Sequence, residues 1–290
     1  VKSSEYDDAQ SPLKLKSDAS YIITGGIGAL GLQVAQYLAT HGASHLILTG
    51  RSGVSTDDQR TALKALENAG VKIEVFAADV SKPEDITQLL AQTSNLRGVV
   101  HAAGVLDDGM LMHQSPKRFL KVAGPKVSGA WNLHIQTKDL PLDFFVLFSS
   151  VASIIGSPGQ SNYAAANAFM DGLAHHRKHQ GLVATSINWG PWSDVGMAAS
   201  DVVLQRLMKD GWQPMNASQG CDFIGHLLEV CKLPQAAVLP VDWRQFAASI
   251  PGAVNWKILS NLMSKEQSNS LVGNPAELAA QRVKESLPHK

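Results

Sequence analysis

The chain has 290 residues, 44% of them hydrophobic, which is enough to bury the core of one α/β domain. Its 25 basic and 25 acidic side chains cancel, so charge gives no reason to expect a nucleic acid or an anionic membrane as partner. The two cysteines, Cys221 and Cys231, exclude a disulfide scaffold, and no apolar run approaches the ~20 residues of a membrane span, so we expect a cytoplasmic protein.

Strand-like and helix-like patterns alternate along the chain after a polar segment, residues 1–18, that we interpret as a linker. Helices are predicted from a glycine-rich loop to about 41, and at 56–69, 83–93, 115–138 (broken at Gly124-Pro125), 161–180 and about 200–210. The alternation predicts an α/β fold of the Rossmann-like type, a doubly wound parallel sheet with helices on both faces. Strands are predicted at 21–24, 45–49, 71–78, 96–101, 144–148, 184–188 and 237–241.

The first predicted strand runs directly into a Gly-x-Gly-x-x-Gly motif that opens a helix. In this context glycines let the backbone turn tightly and approach a pyrophosphate, whose charge lies at the helix N-terminus. A tight turn without a ligand is the alternative. The residues predicted to bind a dinucleotide here are Thr24, Gly25, Gly26, Ile27, Gly28, Leu30 and Gly31.

The end of the second predicted strand indicates which dinucleotide is bound. A dehydrogenase that selects NAD usually has an acidic residue there, which binds the ribose 2′-hydroxyl. This chain has Thr49-Gly50-Arg51-Ser52 instead, and a guanidinium can bind a 2′-phosphate through two hydrogen bonds. Arg51 and Ser52 therefore predict NADPH as the cofactor.

Tyr163 and Asn167 lie four residues apart on one face of a predicted helix, downstream of Lys126 and Ser150. Ser150 is at the carboxyl end of the fifth strand, the edge where open α/β sheets bind ligands. A tyrosine with an ordinary pKa near ~10 needs a cation to act at neutral pH, and Lys126 is the candidate. The group predicts hydride transfer to a carbonyl, in which Tyr163 donates a proton to the forming alkoxide and Ser150 hydrogen-bonds that oxygen.

At these residues the chain resembles the short-chain dehydrogenase superfamily, whose usual motif is Tyr-x-x-x-Lys. Asn167 stands in place of that lysine, and the lysine occurs instead at Lys126. This exchange is typical of ketoreductase domains of modular type I polyketide synthases and of animal fatty acid synthase. The likeness runs from about residue 21 to 246. Further matching stretches are Arg51-Ser52, Asp79-Val80, His101-Ala102-Ala103-Gly104, Phe148-Ser149-Ser150 and Asn188-Trp189-Gly190-Pro191-Trp192.

The resemblance implies roles for residues that the motifs alone do not assign. The loop through Met197 and the helix near 200–210 would form a helical lid over the substrate, and Trp192 lies at the same catalytic edge. By the resemblance, the adenine would be flanked by Asp79 and Val80, the ribose lined by Ala102, Ala103 and Gly104, and the nicotinamide by Gly190 and Pro191.

The stretch Leu106-Asp107-Asp108 matches the fingerprint of B-type ketoreductases, which give the D (3R) alcohol. Ile155 occupies the position where A-type domains have a tryptophan, and Ala165 is not the proline of domains that also epimerise the α-carbon. The resemblance thus implies a D product, with Leu106, Asp107 and Asp108 guiding the substrate. The alternative is that the two aspartates solvate a loop.

Three histidines, His175, His176 and His179, lie at helical spacing and would suggest a metal site. They have no further ligand nearby, and they neighbour Arg177 and Lys178. We therefore interpret the segment as a cationic helix end, favoured by the helix dipole, and expect no metal.

The resemblance implies NADPH-dependent reduction of a 3-ketoacyl chain carried on the phosphopantetheine arm of an acyl carrier protein. Residues 19–250 would be the catalytic domain, and 251–290 an extension and linker toward the carrier protein. Because the chain does not begin with Met, we expect a piece of a longer synthase, in which other domains supply the structural half that usually precedes such a domain. A free-standing dehydrogenase for a soluble alcohol and a redox-silent scaffold are the alternatives.

Overall fold

Seven parallel strands form one sheet in the computed structural model, which describes residues 13–194, 201–231, 233–250, 252 and 256–259. Their order is β3-β2-β1-β4-β5-β6-β7, so the order reverses between β1 and β4. In such folds a ligand crevice lies at this switch point, outside the carboxyl ends of the strands. The predicted doubly wound α/β fold is confirmed. The bounds are β1 Ser20–Thr24, β2 His45–Gly50, β3 Lys72–Ala77, β4 Leu96–His101, β5 Phe144–Ser150, β6 Thr185–Trp189 and β7 Gln235–Val238.

The chain divides into two compact units. The first, Val1–Trp189 with Ala217–Val238, contains the sheet, and the second is Gly190–Asn216 with Leu239–Lys290. No helix in the described ranges is long and apolar enough to cross a membrane. Helices of the first unit are α1 Ala29–Thr40, α2 Asp57–Asn68, α3 Pro83–Ala91, α4 Pro116–Ala123, α5 Gly129–Thr137, α6 Ala152–Ile155, α7 Ser161–His179 and α9 Ala217–His226. Helix α8, Asp201–Lys209, belongs to the second unit.

The central strands are mostly apolar and almost fully buried, because helices cover the sheet on both faces. All five residues of β1 are buried, and so are the first six of the seven residues of β5. One hydrophobic cluster joins the sheet to α3, α5 and α7, with Val99, Phe145 and Met170 among its buried members. This packing holds α7, which carries Tyr163, directly against the strand that ends at Ser150.

One predicted boundary is wrong, and another takes an unexpected form. The α-helix is interrupted at Gly124-Pro125 as predicted, but by a π-helical stretch, Gly124–Ser128, between α4 and α5. Proline has no N–H to donate, and a π turn accommodates it without ending the helical path. The last strand is Gln235–Val238 rather than 237–241. It ends before Pro240, because proline has no N–H to donate to a strand ladder.

The second unit, described by itself, contains α8 (Asp201–Lys209) and α10 (Trp243–Ser249). Trp212 forms an isolated bridge with Val241, and its ring meets Phe246 edge-on at 5.5 Å. Helix α8 agrees with the helix predicted at about 200–210. Its function as a lid stays a prediction, and Met197 lies outside the described residues.

The last turn of α7 is cationic as predicted, with His176, Arg177, Lys178 and His179, but Arg177 is buried. It is 1% exposed, its guanidinium lies 3.9 Å from the centroid of Phe145, and its Nε donates to the Val183 carbonyl at 3.0 Å. Its Nη1 lies 3.1 Å from Nδ1 of buried His134, which accepts the hydrogen bond when neutral. Among the described residues, no group of three His, Cys, Asp or Glu side chains could hold a metal ion.

We predict that stability falls as the pH drops below about 6.5. Burial, aided by the charge of Arg177, lowers the pKa of His134 from 6.5 to about 4. Between these values the unfolded chain binds more protons than the folded one, so acid favours unfolding. Urea unfolding from pH 7.5 to 4.5 measures the slope, which should be smaller in His134→Gln. His179→Gln, at an exposed histidine of the same helix as Arg177, is the control, and equal slopes in all three proteins would contradict the assignment.

Candidate active site

The glycine loop packs so closely on β4 that it leaves no room for a side chain. Gly25 has φ +69°, and a Cβ there would lie 2.8 Å from the Ala103 backbone nitrogen and 2.9 Å from the Ala102 carbonyl carbon. A Cβ at Gly31 would meet the carbonyl oxygen of Gly25. These contacts bring the start of α1 against the carboxyl ends of β1 and β4, with bare backbone at the crevice.

Beneath this loop, Thr24 and His101 join the ends of β1 and β4. The Oγ1 atom of Thr24 lies 2.6 Å from Nδ1 of His101, and both residues are fully buried. Burial and the nearby charge of Lys126 lower the pKa of His101 to about 3, so the ring is neutral. The hydroxyl of Thr24 therefore supports the loop from below instead of facing the crevice.

A cleft of about 320 Å³ opens at the carboxyl edge of the sheet. Burial opposes ionisation of Asp79 in its wall, but hydrogen bonds from Ser81 and the charge of Arg51 outweigh it and lower the Asp79 pKa. Leu120 and Lys121 also line the cleft; they were not predicted from the sequence, because α4 reaches this edge only through the tertiary fold. Ser81 lines it too, directly after the predicted pair Asp79 and Val80. The predicted cofactor residues on the wall are Gly25, Arg51, Asp79, Val80, Ala103 and Gly104. Those that are not on the wall are Thr24, Gly26, Ile27, Gly28, Leu30, Gly31, Ser52 and Ala102.

The structure brings Lys126, Asn167 and Tyr163 together. Lys126, in the π-helical stretch, is 4% exposed, and its Nζ donates to the Phe148 carbonyl and to Oδ1 of Asn167, each at 3.0 Å. The same Nζ lies 5.1 Å from the ring centroid of Tyr163. Asn167 in turn donates from Nδ2 to the Tyr163 carbonyl at 2.8 Å. Asn167 therefore holds Lys126 beside the ring of Tyr163.

Burial sets the charges of this group. It lowers the pKa of Lys126 to about 7, with the negative charge of Asp171 opposing the change. It raises the pKa of the Tyr163 phenol, while the side chains of Ser150 and Asn167 act in the opposite direction. At neutral pH the phenol therefore keeps its proton, and the arrangement can donate that proton to an oxygen placed beside it.

Ser150, the last residue of β5, begins a tight turn into α6. Its Oγ accepts from the Ala152 backbone N–H at 3.2 Å, and its carbonyl lies 2.8 Å from Oγ of Ser153. These contacts fix the backbone on which the Ser150 hydroxyl stands, next to the Tyr163 side chain.

Hydrogen bonds and ion pairs fix the loop at Leu106–Asp108. Both Nε and Nη2 of Arg118 bond Oδ1 of Asp107, at 2.8 and 2.7 Å, and Lys121 lies 3.1 Å from Oδ2. These hydrogen bonds lower the pKa of Asp107. The Asp107 carbonyl accepts from Asn162 at 2.8 Å, and Asp108 from Gln160 at 2.9 Å. The loop is thus tied to the residues that lead into Tyr163.

Three predicted residues, Gly190, Pro191 and Trp192, belong to the second unit. There the Pro191 carbonyl accepts from the Met215 N–H at 3.0 Å, and Trp192 is 6% exposed and forms a bridge with Met215. Their predicted roles toward the nicotinamide and the substrate stay predictions.

The chain is similar in sequence and in structure to known proteins. Residues 19–194 match the family model described as "KR domain". The chain is 40% identical over 259 residues to polyketide synthase GfsA of Streptomyces halstedii, covering 88% of this chain and 3% of that one. It is 42% identical over 189 residues to the highly reducing polyketide synthase alnA of Emericella nidulans, covering 63% and 8%. A solved A1-type ketoreductase matches with a TM-score of 0.81 and 35% identity, over 91% of this chain and 54% of its own. The chain thus spans only part of each relative.

Proposed function

Because the chain belongs to the KR domain family of polyketide synthases, whose members reduce a ketone during polyketide biosynthesis, we propose a specific reaction for it. It uses NADPH to reduce the 3-keto group of an acyl chain tethered to an acyl carrier protein, and yields the D (3R) alcohol. The observation that carries the proposal is the buried lysine bonded to Asn167 and lying 5.1 Å from the Tyr163 ring. In this arrangement a protonated phenol lies beside a cation at the edge of the cofactor cleft.

The residues of the cleft suit a phosphorylated dinucleotide. Side chains are absent at Gly25 and Gly31, where a Cβ would meet backbone, so phosphates can approach main-chain N–H groups. Arg51 is exposed in the cleft wall and can bind a 2′-phosphate. NADPH, when bound, supplies the hydride for the keto carbon.

The protein's own residues donate the proton and stabilise the negative charge that develops on the keto oxygen. Tyr163 donates its phenolic proton to the keto oxygen as the alkoxide forms, and Ser150 donates a hydrogen bond to the same oxygen. A protonated Lys126 near the ring favours the phenolate that results. Asn167 keeps that ammonium in position. The acyl chain itself needs only a groove, because a flexible phosphopantetheine arm delivers it.

The choice of NADPH over NADH is tested by Arg51→Ala. We expect NADPH binding to weaken by roughly 1.5–3 kcal/mol, the contribution of hydrogen bonds to charged groups, with NADH binding nearly unchanged. Fluorescence titration with both cofactors measures the difference. Arg60→Ala removes an exposed arginine that pairs with Asp57 on α2, and it should alter neither affinity. Equal losses with both cofactors would show that Arg51 does not recognise the 2′-phosphate.

Proton donation is tested by Tyr163→Phe, which removes one hydroxyl. The variant should fold and bind NADPH normally, while kcat falls roughly 10²–10⁴-fold, as for loss of a general acid. NADPH consumption with a simple ketone such as decalone gives the rate. The control is Tyr21→Phe, since Tyr21 lies near the opposite end of β1 and bonds the Lys16 backbone at 2.8 Å. Near-normal turnover of Tyr163→Phe would refute the mechanism. A wild-type protein that consumes no NADPH would instead indicate the redox-silent scaffold.

The stereochemical part of the proposal rests on the braced loop of Leu106, Asp107 and Asp108. Because the cofactor cleft and Tyr163 are held by the sheet, the product configuration depends on the side from which the tethered chain enters. A difference of about 2.7 kcal/mol between the two entry modes gives roughly 100:1 selectivity. Chiral chromatography of the product from a 3-ketoacyl thioester, with the racemic borohydride product as standard, should show mainly the D (3R) alcohol. A predominantly L (3S) product would exclude the B-type assignment.

A further inference from the structure

Asp171 is a buried carboxylate to which the proposed reaction assigns no role. It lies on α7 four residues after Asn167 and eight after Tyr163, so the three residues share one face of the helix. It is 8% exposed, and it accepts hydrogen bonds from Ser153 and Ser186 at 2.6 Å and from Asn188 at 2.9 Å. Within the described part of the chain, none of these partners is a cation. The negative charge of a buried carboxylate that is bonded by neutral donors is not cancelled by a cation, so it acts on other buried groups nearby.

Two of these partners connect Asp171 to the turn that carries Ser150. The Ser153 hydroxyl has one proton and faces two acceptors, Asp171 Oδ2 at 2.6 Å and the Ser150 carbonyl at 2.8 Å, so it joins them in a three-centre hydrogen bond. Nδ2 of Asn188 lies 2.8 Å from the Ser153 Oγ and 3.3 Å from the same carbonyl. The orientation of Asn188 is set by Gln235, which donates to its Oδ1 at 2.9 Å. Asp171 therefore positions Ser153 and Asn188, the two side chains that contact the Ser150 carbonyl.

A second path leads from Asp171 to Lys126. Nδ2 of Asn188 also donates to Ser149 Oγ at 3.1 Å, and that hydroxyl donates to the Asn167 carbonyl at 3.3 Å. Asn167 is the residue whose side chain accepts from Lys126 Nζ. The titratable groups near the ammonium are Tyr163 on α7 and His101 on β4, which is neutral. The negative charge of Asp171 counters the effect of burial on the lysine pKa.

We propose that Asp171 is a positioning residue of the reduction: it holds the Ser150 turn through Ser153 and Asn188, and through Asn188 and Ser149 it reaches Asn167, which holds Lys126. The inference rests on the proposed function, because it assigns Asp171 to the support of that reaction. It acts only through other residues and touches neither the ketone nor the cofactor. A carboxylate on the helix of Tyr163 thus controls both the hydrogen-bonding serine and the cation.

The test is the pH dependence of ketone reduction by Asp171→Asn, an isosteric change that removes the charge. We expect kcat to fall about 10- to 100-fold, as misplaced reacting groups do, with NADPH affinity unchanged. Because loss of a negative charge makes Lys126 deprotonate more easily, the alkaline limb of the kcat/KM profile should move down by about one pH unit. Asp139→Asn, at an exposed aspartate, is the charge-matched control and should leave the profile in place. An unshifted alkaline limb in a folded Asp171→Asn would overturn the proposal.

A second variant covers the case in which Asp171→Asn does not fold. Ser153→Ala keeps the carboxylate but breaks its link to the Ser150 carbonyl, so kcat should fall about fivefold, the equivalent of one hydrogen bond. An unchanged kcat in Ser153→Ala would also contradict the proposal. A wild-type protein that reduces no ketone would overturn the proposed function and this inference together. An active wild type with unshifted variants would overturn only the role of Asp171.

Discussion

The burial of one ammonium group, that of Lys126, is the constraint on which the catalytic edge of this molecule depends. A cation out of water is costly unless acceptors surround it, and here a main-chain carbonyl of β5 and the amide oxygen of Asn167 fill that role. Gly104 packs closely against its side chain, since a Cβ there would lie 3.0 Å from Cε of Lys126. Burial of the Lys126 ammonium thus involves three features: the π-helical stretch that carries it, the Asn167 side chain and Gly104.

The same burial links the lysine to the chemistry of the tyrosine. A fully solvated lysine would be charged at any physiological pH, whereas this one has a pKa of about 7. Its protonation therefore depends on nearby charges, and small changes in the surrounding field alter the stability of the Tyr163 phenolate. We assign a role to Asp171 for that reason, and in the described part of the chain its hydrogen-bond donors are the neutral groups of Ser153, Ser186 and Asn188.

The end of the site that we assign to the cofactor depends instead on the absence of side chains. Gly25 and Gly31 bring backbone against backbone, and the contact between Thr24 and His101 fastens β1 to β4 below them. The Asp107 loop adds a third kind of support, since its carboxylate is paired with Arg118 and Lys121. Lys121 also lines the cofactor cleft, so the loop that we assign to the substrate and the cleft share one helix, α4.

Most of the fold and the membership of the site could be read from the chain, because both depend on local patterns. Alternating apolar runs located the first six strands within one or two residues at most ends, and the order of Lys126, Ser150, Tyr163 and Asn167 identified the candidate site. The last strand was misplaced because the apolar residues at 236–241 do not reveal where pairing with β6 stops. The π-helical stretch was missed because Gly-Pro is also what ends an ordinary helix.

What the sequence by itself determined about this protein is its fold class, its family and the residue types available for proton transfer, since period and spacing are properties of a short stretch. Only the tertiary structure decided that Arg177 is buried, that Lys121 lines the cleft and that Asp171 accepts a hydrogen bond from Ser153. These facts join segments that are far apart in the chain, and burial, not residue type, sets the charge of a side chain such as Lys126.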